Sequence, residues 1–509
     1  MNANVGSFLH RWAQQDPERT GIVDSGRDDL ALSYGALDRQ ASRVADHLLE
    51  RGLGPGDRVA ICTANGLDFV AAWFGTVYAG CTTLPIPVMS TAREIAFRLK
   101  HAGCKALVAD VDRSEVAHES RVRAGTHCKI LRVEEAIASA SGETPPCNTA
   151  SDSFAMLLYT SGTTGAAKGV CLTHESLGAH TKALVEQTLN LTEDDRVLGT
   201  LPLTHSYGLR TTLLAPFFAG ASTVFVPKFS PTRTLELCTS HRITWLPAVP
   251  TMFVAWANEQ SKPTPPALRW CLSAGAPLVE GVRLRAEKRL GAPVRQGYGL
   301  TEANLTTINA PPDVAVRGSS GKPVAGVALR IADDFGEELP LGVHGEVLVR
   351  GQNVMAGYLD DKLATNHVMR GDWLHTGDIG FLDDEGRLTI VDRSKDLILR
   401  GGASIYPSEI EDVLVHHPAI HDVAVVGQPD DYYGEEIVAV VVRDSDVTPK
   451  ELDEWAREQL APYKVPRRYA FIEALPQGAS GKTLKRRLRD QLLSGEISAE
   501  QLPSHWPAK

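Results

Sequence analysis

No two cysteines in this chain stand in a C-x-x-C spacing, and none clusters with histidines. The eight thiols are scattered at Cys62, Cys81, Cys104, Cys128, Cys147, Cys171, Cys238 and Cys271. That spacing predicts neither a zinc site nor a disulfide framework, and reduced thiols in a cytoplasmic setting are expected. Positive charge is in short supply too. With 52 Lys and Arg against 62 Asp and Glu, the formal net charge is −10, which argues against general affinity for nucleic acid or anionic membrane. The opening stretch MNANVGSFLHRW lacks the basic start and apolar core of a secretory signal, so none is expected. A clean membrane span is also missing. Residues 69–92 carry no charge, but Gly75, Gly80, Pro85 and Pro87 interrupt them. The pattern predicts a buried helix over 67–79, a stop at Gly80 and a buried strand CTTLPI. No short-period repeat occurs.

What remains is a chain of 509 residues with 43% apolar and 22% charged content, the texture of a soluble globular protein of two or more domains. Helix and strand patterns alternate over the first 330 residues or so, which predicts parallel sheets covered by helices. LSYGALDRQASRVADHLLERG reads as a helix opened by Ser33 and closed by Gly52, DRVAIC as a strand, and THESLGAHTKALVEQTL as a helix capped by Thr173. FGTVYAGCTTLPIPV (74–88) and LAPFFAGASTVFVPK (214–228) share one design, an apolar helix end, an Ala-Gly break and a threonine-bearing strand. They are read as equivalent units of two similar subdomains. From about 315 short strands and glycine turns suggest a small antiparallel barrel. A separate α+β unit follows a boundary near Lys395, with strands HDVAVVG and EEIVAVVVR and a helix TPKELDEWAREQL. Thr448, Pro449 and Glu451 give that helix a capping box.

Residues 159–170 read YTSGTTGAAKGV, directly after the apolar run FAMLLYT. A strand feeding a Gly/Ser/Thr loop is a phosphate cradle by physical type. Glycines let backbone N–H groups approach the oxygens, hydroxyls donate, and Lys168 adds a point charge. Composition alone leaves a flexible polar surface loop equally open. A P-loop is excluded, because Lys168 stands between Ala167 and Gly169. PQGASGKT (476–483) misses the pattern as well, with Pro476 where the first glycine must be.

The loop YTSGTTGAAKG, together with QGYGLTE (296–302), WLHTGD (373–378), DRSKD (392–396), GGASIYPSEIE (401–411) and SGK (480–482), resembles the motif set of the adenylate-forming enzymes. That group includes acyl- and aryl-CoA synthetases, firefly luciferase and the adenylation domains of peptide synthetases. The motifs occur in the family's order and span essentially the whole chain. The resemblance implies a large α/β domain of two similar subdomains plus a small β-barrel over 1–392, a hinge at 393–396 and a small mobile α+β domain over 397–509. It implies ATP, Mg2+ and CoA, a small-molecule carboxylic acid, and two steps, formation of an acyl-adenylate with loss of pyrophosphate and then transfer of the acyl group to a thiol.

By the same resemblance Thr160, Ser161, Gly162, Thr163, Thr164, Gly165 and Lys168 grip the β- and γ-phosphates. Tyr298 is the stacking face for adenine, with Gly275 and Ala276 on the other side, and Gln296, Gly297 and Gly299 belong to the same nucleotide site. Thr301 reaches the α-phosphate, and Glu302 contacts magnesium. Asp378 and Arg393 hold the ribose, Lys395 is the hinge, and Gly401 and Gly402 line the passage for a pantetheine arm. Lys482 bridges the acid and the α-phosphate in the first step, and His205 gates an acyl pocket that includes Tyr207, Gly208, Val249, Tyr298 and Asn304. No aspartate stands in THSYG to hold an amino group, so an acyl or aryl acid is expected rather than an amino acid. Ala167 replaces the proline common in the family before the loop lysine and leaves the N–H donors and Lys168, and Gln477-Gly478 replaces a more usual Arg-Thr type pair, neither of which implies lost activity. In KTLKRRLRDQLL the period predicts Leu484, Leu488 and Leu492 inward and Lys485, Arg486, Arg487 and Arg489 as a solvated basic face. A carrier-protein phosphopantetheine as acceptor, a luciferase-like oxidative enzyme and a silent nucleotide sensor are the alternatives.

Overall fold

The computed structural model describes residues 4–502 apart from 140, 161–166, 260–263, 314, 334, 394–395, 401–402, 431 and 478–482, and leaves the side chains of Ser139, Arg393 and Ser404 undescribed. The chain folds as two units, Met1–Leu329 with Val349–His375, and Arg330–Leu348 with Thr376–Lys509.

In the first unit, apolar runs become strands flanked by helices, as their alternation predicts. One sheet orders the strands Gly357–Tyr358, Lys168–Thr173, Phe154–Thr160, Thr82–Pro85, Arg58–Cys62, Ala106–Ala109 and Lys129–Leu131. Its central pairs are parallel, and Val59–Cys62, Thr82–Pro85 and Ala106–Ala109 are fully buried, which fits their apolar character. Phe154–Thr160 (β1) and Lys168–Thr173 (β2) form an antiparallel hairpin in which Thr160 faces Lys168. Thr173 caps the following helix His174–Leu184 (α1), its hydroxyl accepting from the Ser176 N–H at 3.0 Å. The short helix Ser206–Leu209 (α2) runs on into a π-helical turn, Arg210–Leu214. A second run of parallel strands, among them Arg196–Gly199, Trp245–Ala248 and Trp270–Ser273, leads to Val294–Leu300 (β3). There the direction reverses, and β3 pairs antiparallel with Asn304–Ile308 (β4). The two similar stretches do adopt one design. Helix Leu67–Tyr78, Gly80 at φ +74° and strand Thr82–Pro85 match helix Ala215–Ala219, Gly220 at φ +79° and strand Ser222–Phe225. Among the described residues no helix is long and apolar enough to cross a membrane.

Gly357–Tyr358 (β5) adds to the free edge of β2. Trp373–Leu382 (β6) and Leu388–Arg393 (β7) pair antiparallel, and Asp378 lies opposite Arg393. These late strands belong to mixed sheets, and no closed barrel is needed to account for the region where one was expected.

The second unit contains a six-stranded sheet with Ile420–Asp430 and Gly434–Arg443 as its long buried strands. Helices Pro407–Leu414 and Pro449–Arg457 pack their apolar residues against it. The predicted capping box at Thr448 and Glu451 is formed. The basic face predicted near the carboxyl end needs correction. Lys485 is ion-paired to Glu411 at 2.8 Å and Arg489 to Asp396 at 3.3 Å, so two of the four cations face protein rather than water. Of the leucine stripe, Leu488 and Leu492 are buried, but Leu484 stands at the helix mouth and is exposed.

Candidate active site

The hairpin β1–β2 is the stem of the glycine-rich loop. Thr160 and Lys168 are its last described rungs, and Ser161, Gly162, Thr163, Thr164 and Gly165 lie outside the described residues. At the base, the Lys168 ammonium sits 4.8 Å from the centre of the Tyr358 ring. The Tyr358 hydroxyl donates to Glu302 Oε1 at 2.9 Å. Three side chains from three distant stretches thus form one row: a cation, an aromatic ring and a carboxylate. Burial, then the Glu302 charge, raises the phenol's pKa, so it stays protonated and a donor.

Backbone contacts hold the row together. Met355 N–H donates to Glu302 O at 2.7 Å, Ala356 N–H to Cys171 O at 2.9 Å and Leu359 N–H to Gly169 O at 2.7 Å. Residues 355–359 therefore tie the GYGLTE turn to β2. Below them two amides exchange bonds. Asn304 Nδ2 donates to Asn353 O at 2.9 Å, and Asn353 Nδ2 donates to Ala303 O at 2.6 Å. Asn304, expected in the acyl pocket, is buried with φ +52° and spends its N–H group on this tie.

The turn itself explains its glycines. A Cβ on Gly299 would sit 2.0 Å from Asn304 O, and one on Gly297 3.0 Å from Thr307 O. The register shifts by a bulge between Tyr298 and Gly299, and Thr301, Glu302 and Ala303 fill the connection. Tyr298 is 9% exposed, and Gln296 Oε1 accepts from Leu278 N–H at 3.0 Å. That bond anchors the SAGAP loop, in which Gly275 has φ +92°, Ala276 is half-buried, and a Cβ on Gly275 would lie 3.7 Å from Val249.

Three of the expected pocket residues converge here. The buried Tyr207 hydroxyl donates to Leu272 O at 2.7 Å and reaches Ala248 O at 3.3 Å, spanning the ends of two parallel strands beside Val249. His205 is exposed, and its Nδ1 accepts from Tyr207 N–H at 3.4 Å as the cap of α2. Gly208 is dictated by packing, since its Cβ would meet Pro202 O at 2.3 Å.

In the second unit Asp378 is 3% exposed on β6. Its backbone N–H donates to Thr376 Oγ1 at 3.1 Å, and Gly377 at φ +69° donates to Glu346 Oε1 at 2.9 Å. Lys395, Gly401, Gly402 and Lys482, and the side chain of Arg393, lie outside the described residues. Among the described residues no group of three His, Cys, Asp or Glu is poised to hold a resident metal. A single carboxylate suits a cation that arrives with phosphate oxygens and keeps its remaining positions for them and for water.

Residues 9–359 match the family described as AMP-binding enzyme, and residues 409–482 match the AMP-binding enzyme C-terminal domain. A long-chain-fatty-acid–CoA ligase of Mycobacterium tuberculosis is 32% identical over 500 residues, covering 96% of this chain and 98% of its own. A feruloyl-CoA synthase of Amycolatopsis is 34% identical over 499 residues, covering 96% and 99%. Among solved structures, ATP-bound MatB from Rhodopseudomonas palustris matches with TM-score 0.91 at 33% identity, covering 96% and 99%. The o-succinylbenzoate CoA synthetase of Bacillus subtilis, solved with its acyl-adenylate intermediate, matches with TM-score 0.86 at 31% identity, covering 95% and 98%. The chain belongs to the AMP-binding, adenylate-forming enzyme family, and within it to the ligases that join a carboxylic acid to a thiol.

Proposed function

We propose that this enzyme makes an acyl- or aryl-CoA in two steps at one acyl carbon. In the first, a carboxylate oxygen attacks the α-phosphorus of ATP, the bond to the β-phosphate breaks, and pyrophosphate leaves. In the second, a thiolate sulfur attacks the acyl carbon, AMP departs, and the thiol proton passes to solvent. A carboxylate is a poor electrophile, and the adenylate gives it a good leaving group. The observation that carries this reading is the row Lys168–Tyr358–Glu302 at the foot of the glycine-rich hairpin.

Lys168 and the loop above it neutralise the departing pyrophosphate. Glu302 would hold Mg2+, which would supply positive charge against the phosphate oxygens. Thr301 donates to the α-phosphate, and Tyr298 stacks on adenine against Gly275 and Ala276. Asp378 accepts from the ribose hydroxyls, since one carboxylate can take two donors, and Arg393 braces the same sugar. His205, Tyr207, Gly208, Val249 and Asn304 border the acid. Lys482 stabilises the charge shared by acid and α-phosphate. Residues 397–509 then turn about the 393–396 hinge at Lys395, which brings Gly401 and Gly402 beside the incoming thiol.

Carboxylate-dependent exchange of pyrophosphate into ATP tests the first step, and AMP release with free CoA tests the second. Exchange without CoA-dependent AMP release, restored by a phosphopantetheine-bearing carrier protein, would make the carrier the acceptor. Absence of exchange with every acid would leave a nucleotide-binding protein without the chemistry.

A further inference from the structure

The first unit buries a cation without an acid. Arg210, at the head of the π-helical turn after α2, is 1% exposed. Its Nη1 donates to Leu177 O at 2.7 Å and to Thr181 Oγ1 at 2.6 Å, both on α1. Its Nε and Nη2 have no partner among the described residues, and no carboxylate there pairs with it. Burial lowers the guanidinium pKa to about 9, so the group is still charged at neutral pH.

An isolated buried charge is strongly unfavourable, and such groups persist where a ligand completes them. The geometry says which ligand. Nε and Nη2 lie along one edge of the planar guanidinium, and that edge presents two parallel N–H donors, the fork that matches the two oxygens of a carboxylate. Nη1, by contrast, is spent on α1, which fixes the plane. The protein has anchored one side of the group and supplies no acceptor among the described residues to the carboxylate-binding side.

The surroundings fit a polar end of a substrate. His180, on the same helix that anchors Arg210, donates from Nε2 to Leu305 O at 2.8 Å. Its Nδ1 is a buried lone pair without a partner among the described residues. Burial and the Arg210 charge hold this imidazole at about 3, so Arg210 remains the one full charge of the pair. Asn304 Oδ1, one residue before Leu305, is likewise buried and unpartnered among the described residues. Arg210 directly follows α2, which His205 caps and which carries Tyr207 and Gly208, and Leu305 follows Asn304 on β4, just after the connection that holds Glu302. The unsatisfied atoms therefore belong to the segments that border the proposed acyl pocket.

We propose that Arg210 is a binding site for a second carboxylate, and that the acid activated by this enzyme is dicarboxylic, with one carboxylate adenylated and the other held by the Nε–Nη2 edge. The proposal rests on the adenylation reading and names its substrate class.

Matched acids test it in pyrophosphate exchange with the full chain. Succinate, adipate and sebacate are compared with butyrate, hexanoate and decanoate, and terephthalate with benzoate. In at least one pair the dicarboxylate should exceed its monocarboxylate partner by about tenfold or more in kcat/KM. Arg210→Met should lower exchange on that dicarboxylate at least about tenfold more than on its partner, and Arg210→Lys should restore part of the preference. Monocarboxylates equal to or better than dicarboxylates in every pair would overturn the subsite while leaving adenylation intact. So would a fall by the same factor on both acids in Arg210→Met together with a large drop in melting temperature, the mark of a cation that serves only the fold. If Arg210→Met does not fold, the Arg210→Lys comparison decides alone, and an unchanged preference there overturns the site. Exchange with no acid at all would remove the adenylation reading, and the subsite with it.

Discussion

Removing a single oxygen tests the row at the foot of the hairpin. Tyr358→Phe deletes the hydroxyl that donates to Glu302 Oε1 at 2.9 Å and keeps the ring 4.8 Å from Lys168. A hydrogen bond to a charged group contributes about 1.5–3 kcal/mol, and Tyr358 is only half-buried, so the lower part of that range applies. At about 1.4 kcal/mol per factor of ten, kcat/KM for Mg-ATP should fall about 10- to 30-fold. Glu302 is fixed on its other side by its own backbone, through Met355 N–H, so the carboxylate should lose aim rather than place. The defect should therefore grow as Mg2+ is lowered and shrink when Mg2+ is raised. Calorimetric binding of ATP should weaken in Tyr358→Phe with Mg2+ present and match wild type without it. Tyr358→Leu, which also removes the ring, should add a loss of about 0.5–1 kcal/mol in Mg2+-free ATP binding through Lys168. Wild-type exchange and wild-type Mg2+ dependence in Tyr358→Phe would refute the reasoning.

Lys482→Ala should reduce exchange about 10²–10³-fold yet spare thioester formation from supplied acyl-adenylate, and equal loss in both half-reactions would remove the role proposed for Lys482 in the first step alone. Asp378→Ala should weaken ATP binding more than acid binding in a titration, and unchanged nucleotide affinity would deny it the ribose. Titrating the native protein with a thiol reagent should reveal one fast thiol, Cys147, because the other seven are buried, with Cys62 and Cys171 pushed up to about 11 and Cys81, Cys128 and Cys238 to about 12. Burial holds His174 at about 4 and His180 at about 3 against an ordinary 6.5, so between those values the unfolded chain binds protons that the folded chain refuses. Stability should be full above about pH 6.5 and fall as pH drops, by about 2 kcal/mol for each group at pH 5. A melting temperature that stays constant from pH 7.5 to pH 5 would contradict this.

Local rules carried much of the fold. Ser33, Thr173 and the Thr448–Glu451 box cap their helices, and the Ala-Gly breaks at Gly80 and Gly220 end theirs, because capping and left-handed turns depend on a few adjacent residues. Residues 69–92 read correctly because glycines and prolines punctuate them. Long-range partners were harder to see. Tyr358 lies in an unremarkable AGYLDD stretch, and only the pairing of β5 with β2 brings it to Lys168 and Glu302. Lys485 carried a helical period that pointed outward, and a glutamate 74 positions earlier turned it inward (485 − 411). Nothing in the sequence neighbourhood of Arg210 tells a buried cation from a solvated one.

The two units are each assembled from two stretches of chain, and the backbone passes between them three times, at residues 329–330, 348–349 and 375–376. During synthesis, then, the first unit stays incomplete until the segment bearing Tyr358, the edge strand of its seven-stranded sheet, has left the ribosome. Expressing the carboxyl-terminal portion from 397 onward as a fragment would leave behind residues 330–348 and 376–396 of its own unit. A fragment that ends before residue 349 should therefore be sticky and half-built, whereas the buried clusters from Ile398 to Leu492 lie wholly within the portion after 397, and cutting a single exposed loop after folding should leave both halves of each unit in place.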